Sequence, residues 1–197
     1  MYYFATYALK FLLSLFGRIK IYDKSNLPKR EGYIIACTHT GWVDILWLGV
    51  AVLPTKIHYM AKKELFQTAF TKTLMKQLHA FPVDRANPGP STIKIPRKLL
   101  AEGKVVGIFP SGTRTTENVP LKKGAVTIAS SANAPIVPAA YKGPTNFKDL
   151  FQRKKPRIIF GTPIAPNNAL SKKESIEAMM KELEAQFNAL QMKIADK

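Results

Sequence analysis

Residues 32–53 read GYIIACTHTGWVDILWLGVAVL, and this stretch decides the fold. Its first part, Gly32–Thr38, is short and apolar with several β-formers, which predicts a buried strand. Trp42–Leu53 then predicts a helix that ends before Pro54. A strand followed closely by a helix is the unit from which α/β sheets are built. The turn between them therefore lies at a sheet end, where α/β proteins commonly bind their ligands.

His39 lies in this turn, and Asp44 lies in the first turn of the predicted helix. On one continuous helix, side chains five residues apart point about 140° away from each other. In the predicted arrangement of turn and helix the two side chains can meet. The imidazole can then accept a proton from an attacking hydroxyl, while the carboxylate orients the ring and stabilises the imidazolium. The spacing alone also fits an Asp44 that caps the helix beside an unrelated histidine.

Other candidates for the reactive group are few. His58 and His79 lack a carboxylate at a helpful offset, and we interpret both as structural or surface residues. Cys37 is the only cysteine, so no intramolecular disulfide forms, which fits a reducing compartment. A thiol nucleophile at Cys37 is an alternative, although free cysteine is usually a small buried hydrophobe. The three histidines and one cysteine show no metal-ligand spacing, and no metal site is predicted.

Three further motifs follow in order, and each joins strand-like residues to a turn: FPVDR at 81–85, FPSGTR at 109–114 and APIVP at 134–138. Arg85 and Arg114 follow such strands, and guanidinium groups suit bidentate binding of phosphate. A solvated surface role is the alternative for either arginine. Gly112 lets the backbone approach a ligand closely. The amides of its turn fit either a phosphate or the oxyanion of a tetrahedral intermediate.

Strand-like and helix-like segments alternate along the rest of the chain. We predict strands at 57–60, 105–109, 136–141 and 157–160, and helices at 64–78, 93–102, 124–132 and 171–194. Ser171 and Glu174 form the signature of a capping box at the start of the last helix. The alternation predicts an α/β fold, a single domain with a mixed sheet flanked by helices, over residues 29–197.

Residues 1–28 are predicted to form a membrane-associating N-terminal helix and a connector. Residues 2–16 are almost wholly apolar, and Thr6, Lys10 and Ser14 form one narrow polar stripe on a helix. Fifteen residues of helix extend about 23 Å, which is short of the roughly 30 Å hydrocarbon core. Together with the basic residues that follow, this favours a helix lying in the interface of an anionic bilayer. A core helix packed on the domain is the alternative.

The chain has 197 residues, with 30 Lys and Arg against 13 Asp and Glu, and a net charge of +17. Such a charge favours polyanionic partners: an acidic membrane, nucleic acid or an acidic carrier protein. No nucleic-acid-binding motif or basic helix stripe is present, so we do not expect a nucleic-acid partner. No P-loop or dinucleotide fingerprint is present either.

The four motifs together resemble those of the lysophosphatidate acyltransferase family of glycerolipid acyltransferases, over about residues 32–141. Residues 61–66, AKKELF, resemble the family's segment between the first two motifs. The resemblance implies a lysophospholipid acceptor, and acyl-CoA or acyl-carrier protein as co-substrate, with no metal or redox cofactor. It also implies attachment to a membrane, which we expect at the cytoplasmic face.

The resemblance also implies roles for individual residues. His39 corresponds to the base and Asp44 to its partner. Arg85 and Arg114 correspond to ligands of the acceptor phosphate, in a pocket that Gly112 and Thr113 shape. Two more residues, Ser111 and Lys122, are candidates for contact with the substrate.

The chain departs from the family pattern at four positions. Thr38 stands where Asn is usual, Gly41 where Ser is usual, and His79 where Gly is common. Ser111 replaces the usual Glu of the third motif, and Glu117 is a candidate substitute for its charge. The expected reaction is acylation of the sn-2 hydroxyl of lysophosphatidate to phosphatidate. The alternatives are another lysolipid or glycerol 3-phosphate as acceptor, or a catalytically silent peripheral lipid-binding protein.

Overall fold

Seven strands of the described chain pair into one sheet. The computed structural model describes residues 2–29, 31–84, 86–112, 120–152 and 154–197, with the backbone alone for residues 2–5. The strands are β1 (Lys20–Tyr22), β2 (Ile34–Cys37), β3 (Ile57–Lys62), β4 (Phe81–Val83), β5 (Val105–Ile108), β6 (Ile136–Lys142) and β7 (Arg157–Phe160). The helices are α1 (Tyr2–Ser14), α2 (Val43–Ala51), α3 (Ala69–Gln77), α4 (Ser91–Ala101), α5 (Gly124–Ala132), α6 (Phe147–Phe151) and α7 (Lys172–Ala195).

The order of strands in the sheet is β1-β7-β6-β2-β5-β3-β4. Strands β2 to β6 run parallel to one another, whereas β7 is antiparallel to β6 and pairs with β1 in parallel. The predicted mixed sheet of a single α/β domain is therefore confirmed. Because β2, β4 and β5 are parallel, the turns that follow them meet at the same edge of the sheet.

Side chains of successive strand residues enter two hydrophobic layers. Ile35 and Cys37 face the layer that contains Leu13 of α1, Trp47 of α2 and Leu150 of α6. The neighbouring residues of β2 face the opposite layer, which contains residues of α4, α5 and α7: Leu100, Ile128 and Leu183. Helices α1, α2 and α6 therefore cover one face of the sheet, and α4, α5 and α7 cover the other.

Most sequence-based boundaries are within a few residues of the structure. The strand at 157–160 and the helix at 124–132 are confirmed as predicted. The capping box of α7 is also confirmed: the Glu174 amide donates to Ser171 Oγ, and the Ser171 amide donates to Glu174 Oε2. Helix α7 carries an apolar stripe at helical spacing, in which Ile176 is half-buried and the residues that follow are buried: Met180, Leu183, Phe187, Leu190 and Ile194.

The predicted helix at 64–78 is divided. Lys63–Phe66 forms a 3₁₀ turn, and α3 begins only at Ala69. Thr68 starts this helix, because its side chain accepts a hydrogen bond from the Thr71 amide. The strand β1 and the short helix α6 were not predicted. Residues 20–22, which the sequence assigned to the connector, pair with β7 as part of the sheet.

The N-terminal helix α1 leaves much of its apolar surface exposed. Thr6, which belongs to the predicted polar stripe, is buried, as is Leu13. Four large apolar side chains of the N-terminal segment are exposed: Tyr7, Phe11, Leu12 and Leu15. Among the described residues, no helix has both the length and the apolar character to cross a membrane.

Candidate active site

His39 and Asp44 meet at the carboxyl end of β2. His39 Nδ1 lies 3.2 Å from Asp44 Oδ1 and 3.1 Å from Oδ2. Asp44 lies in the first turn of α2, and His39 lies in the turn before it, as the sequence predicted. A carboxylate only accepts hydrogen bonds, so Nδ1 carries the hydrogen and Nε2 is the nitrogen that can receive a proton.

The Asp44 carboxylate is fully buried, and the turn that precedes it supplies its other hydrogen bonds. The amides of Thr40 and Gly41 donate to Oδ2 over 2.7 and 2.9 Å. A buried carboxylate is tolerated only when hydrogen bonds compensate for the water that it loses. The same bonds fix the path of the backbone from His39 to Asp44, and hence the position of the imidazole.

Aromatic rings hold the imidazole from the other side. The Phe109 ring stacks on His39, with centroids 4.4 Å apart and planes inclined by 30°. Tyr59 lies parallel to Phe109 at 6.4 Å and donates its hydroxyl hydrogen to the Ile45 carbonyl. Phe109 opens the FPSGTR motif, so this stack joins the first and third motifs at one point.

Gly41 permits a close backbone contact that no other residue allows. A Cβ at this position would lie 1.9 Å from the carbonyl oxygen of Thr145. That same oxygen accepts a hydrogen bond of 2.9 Å from the Trp42 amide. Serine is usual at this position in the family that the motifs resemble. Here the Thr145 backbone fills the space that a serine side chain would need, which explains why the residue is glycine.

Asp149 holds Thr145 in that place. Its Oδ2 accepts from the amide of Thr145 at 2.9 Å and from the Thr145 hydroxyl at 2.7 Å. Its Oδ1 accepts from Lys154 at 2.9 Å. The hydrogen bond from Lys154, followed by those from Thr145, lowers the pKa of the Asp149 carboxyl well below its usual range. Thr145 and Asp149 therefore position the turn that carries His39.

Sequence reasoning missed Thr145 and Asp149. One local signal was available: Asn146 caps α6 by accepting from the Asp149 amide at 3.0 Å. That signal predicts where a helix starts, but it does not predict that the residue before the cap, Thr145, contacts Gly41. The contact between residues 41 and 145 spans more than half of the chain, and no local pattern encodes it.

Gly112 forms the turn after β5. Its φ is +70°, in the left-handed region, and its amide donates to the Phe109 carbonyl at 3.0 Å. The Lys122 side chain lies against it, since a Cβ on Gly112 would come within 3.0 Å of Lys122 Nζ. The Gly112 amide is thus used within the turn, and among the described residues the cation beside it is Lys122, a predicted substrate contact.

Three predicted site residues, Arg85, Thr113 and Arg114, lie outside the described residues, as does Glu117. Their described neighbours, Asp84 and Gly112, line the same cavity of about 290 Å³. Lys122 also lines this cavity, and Ser111 is half-buried in the turn beside it.

A second and larger cavity of about 660 Å³ begins at His39. Apart from Thr6, Lys62 and Glu64, its walls are mainly apolar, with side chains from α1, α2, α3 and β3. It meets the smaller cavity at Met60, Phe109 and Gly112, which line both. The imidazole therefore lines the apolar cavity and stacks on Phe109, which also lines the smaller cavity of Lys122 and Asp84.

The rival residues are placed elsewhere. The rings of His58 and His79 meet at a tilt, with centroids 5.0 Å apart, near the amino ends of β3 and β4, at the sheet edge opposite His39. Burial lowers the pKa of both. His79 has a φ of +54°, which explains why glycine suits this position. Cys37 is fully buried, and burial raises its thiol pKa, so the structure argues against a thiol nucleophile.

Among the described side chains, no three His, Cys, Asp or Glu residues come together to hold a metal ion.

Comparison with known proteins identifies the family to which this arrangement belongs. The model of the Acyltransferase family matches residues 18–142, which include β2 to β6 and the His39–Asp44 pair. The chain belongs to this acyltransferase family.

Relatives agree with this assignment. The 1-acyl-sn-glycerol-3-phosphate acyltransferase of Bacillus subtilis is 56% identical over 98% of both chains. That of Streptococcus pneumoniae is 33% identical over 91% of this chain and 68% of its own. The crystal structure of the LPA acyltransferase PlsC of Thermotoga maritima matches with a TM-score of 0.70, covering 96% of this chain and 81% of that one at 17% identity. This last likeness shows the fold.

The contact at Gly41 is testable by adding one methyl group. In Gly41→Ala the new Cβ collides with the Thr145 backbone, so we expect the free energy of unfolding to fall by about 1–3 kcal/mol and acyltransferase activity to be lost. Urea unfolding and an activity assay measure the two effects. Gly89→Ala is the matched control for the stability measurement, because a Cβ there meets nothing within 4 Å. Equal behaviour of the two variants would contradict the steric role of Gly41.

The role of Asp149 predicts a pH dependence. Its folded-state pKa is lowered, so its contribution to stability is complete above the ordinary Asp pKa of about 4 and is lost as pH falls through the folded-state value. The difference in unfolding free energy between the wild type and Asp149→Asn should therefore stay constant from about pH 7 to about pH 5 and shrink as the pH is lowered from about 4 to about 3. Asp196→Asn, on an exposed residue, should show no such trend. A constant difference for Asp149→Asn would refute the ionic network.

Proposed function

We propose that the protein transfers a fatty acyl group from a thioester donor to the sn-2 hydroxyl of lysophosphatidate and so forms phosphatidate. The observation that carries the proposal is the His39–Asp44 pair, bonded at 3.1 Å, with His39 lining an apolar cavity that shares Phe109 and Gly112 with the smaller cavity of Lys122. The close relation to an enzyme named for this reaction, at 56% identity over nearly the whole chain, supports it.

The reaction follows from the geometry of the imidazole. His39 Nε2 removes the proton of the acceptor hydroxyl as its oxygen attacks the thioester carbonyl, and Asp44 stabilises the imidazolium that forms. The tetrahedral intermediate then collapses with cleavage of the carbon–sulfur bond. The imidazolium returns the proton to the leaving thiolate, so the enzyme ends in its starting state. No serine nucleophile is needed, because the substrate supplies the attacking oxygen.

The two cavities suit the two kinds of group that the reaction brings together. The walls of the larger cavity are mainly hydrophobic side chains, which suit the acyl chain of the donor. The smaller cavity holds Lys122 beside the Gly112 turn, which suits the acceptor phosphate. Arg85, Arg114 and Thr113 complete this phosphate site in our proposal, in line with the motifs that contain them.

Membrane attachment belongs to the same proposal. The exposed apolar residues of α1 and the net charge of +17 suit an anionic bilayer, and a cytoplasmic face would bring acyl-CoA or acyl-carrier protein to the enzyme. Both donors are acidic, which matches the positive charge of the protein.

Ser111 favours one alternative within this class. A serine in place of the usual glutamate removes a negative charge beside the acceptor site, so another lysolipid or glycerol 3-phosphate is the competing acceptor. A panel of these acceptors, each assayed with both donor types, decides between them by the ratio of kcat/KM values. Vesicle binding without turnover of any acceptor would instead indicate a silent lipid-binding protein.

His39→Ala tests the proposed chemistry. With lysophosphatidate and an acyl donor, we expect phosphatidate formation, measured by mass spectrometry, to fall by about 10³-fold or more, since the general base is lost. His79→Gly is the matched histidine control. It removes an imidazole at the opposite sheet edge, and glycine suits the φ of +54° there, so activity should persist. A folded His39→Ala variant with full activity would refute the mechanism.

Ala80→Leu tests the acyl cavity. Ala80 lines the larger cavity, and the added carbons reduce its volume. We expect kcat/KM for the longest acyl donors to fall about tenfold relative to shorter ones, because pocket methylenes discriminate on this scale. Ala101→Leu, on an exposed position of α4, is the control and should keep the wild-type chain-length profile. An unchanged profile in Ala80→Leu would place the donor chain elsewhere.

A further inference from the structure

The short helix α6 presents two large aromatic side chains to solvent. Phe147 is 64% exposed and Phe151 is 74% exposed. Four residues apart on a helix, they lie on the same face. Leu150 points the other way, and it is buried in the layer that contains Leu13 and Trp47. Helix α6 is thus anchored by one side chain and exposes two phenylalanines.

Two other aromatic residues belong to segments that contact α6 or the residues leading into it. The Phe151 ring meets Phe16, just after α1, edge-on with centroids 5.1 Å apart. Trp42 is 52% exposed, and its amide donates to Thr145, two residues before Phe147. Phe16, Phe147 and Phe151 form what we call the aromatic face, and the backbone of the exposed Trp42 is bonded to the segment that leads into α6.

The charge around α6 matches an anionic surface. Lys148, Lys154 and Lys155 are exposed. Asp149 is the only acidic residue between positions 144 and 156. Its carboxylate bonds Thr145 and pairs with Lys154, so Lys148 and Lys155 carry the positive charge that this acid does not balance. Exposed aromatic rings flanked by lysines are typical of segments that sit at the headgroup level of a bilayer.

We propose that α6 is a second membrane contact, which inserts Phe147 and Phe151 into the interface of an anionic bilayer beside α1. The inference rests on the proposed function, in which the acceptor is a membrane lipid. It deepens that function, because the segment that touches the lipid also holds Thr145 against Gly41. The catalytic turn is thereby held at the bilayer surface, where the acceptor hydroxyl is found.

A site-specific probe tests insertion directly. Cys37 is fully buried, so a polarity-sensitive fluorophore labels Phe147→Cys selectively. With vesicles of phosphatidylglycerol and phosphatidylcholine, its emission should shift to shorter wavelength. Met192→Cys is the matched control, because Met192 is 71% exposed on α7, in the opposite layer, and should show no shift. No shift at position 147, or an equal shift at both positions, overturns the proposal.

A functional experiment separates this inference from the reaction itself. In Phe147→Ser and in the double variant with Phe151→Ser, sedimentation should show vesicle binding weakened, by about tenfold or more in the double variant. Turnover of a water-soluble short-chain lysophosphatidate should stay at the wild-type level. Absence of that turnover in the wild type would refute the proposed function, while the fluorescence still reports on insertion.

An acidic carrier protein is the competing occupant of α6. If the serine variants bind vesicles like the wild type but lose activity only with acyl-carrier protein as donor, α6 is a carrier-docking site and the membrane contact is refuted. If they lose vesicle binding and show equal short-chain activity with both donors, the membrane contact is supported.

Discussion

The buried carboxylate of Asp44 is the constraint on which the rest of the site depends. It accepts hydrogen bonds from Thr40, Gly41 and His39, all within five residues before it. A negative charge with no exposure to water can stay there only while these donors remain in place. The need to satisfy one carboxylate therefore determines the shape of the turn, the ring orientation of His39 and the nitrogen that is left to react.

The sheet brings to this turn what the local sequence cannot. Parallel pairing of β2 with β5 carries Phe109 to the imidazole and Gly112 with Lys122 to the cavity beside it. Pairing of β2 with β6 brings Thr145 to Gly41. Just beyond the paired residues, the Tyr141 amide donates a hydrogen bond of 3.0 Å to the Thr38 hydroxyl. Each contact needs its strand in register, because a shift of one residue would turn every side chain to the other face.

The parts of the structure that could be predicted from sequence have strong local signals. Helix α7 begins with a capping box and continues as an apolar stripe, and β7 is a short buried run. The pairing of His39 with Asp44 was likewise predictable, because both residues lie in one strand–turn–helix unit. In contrast, β1 has three residues without apolar alternation and is a strand only because β7 lies beside it. Thr145 and Asp149 were missed for the same reason, since their role exists only once distant segments meet.

The place of β1 in the sheet has a consequence for how the chain can be divided. Residues 20–22 shield one side of β7, whose residues Ile158, Ile159 and Phe160 are fully buried. A shortened protein that starts at residue 19 lacks the hydrophobic helix α1 but keeps β1 paired with β7. A protein that starts at residue 29 lacks β1, so β7 becomes an apolar edge strand with unpaired backbone groups. Such edge strands promote aggregation. The sheet thus begins at Lys20, inside the segment that the sequence alone suggests is a connector.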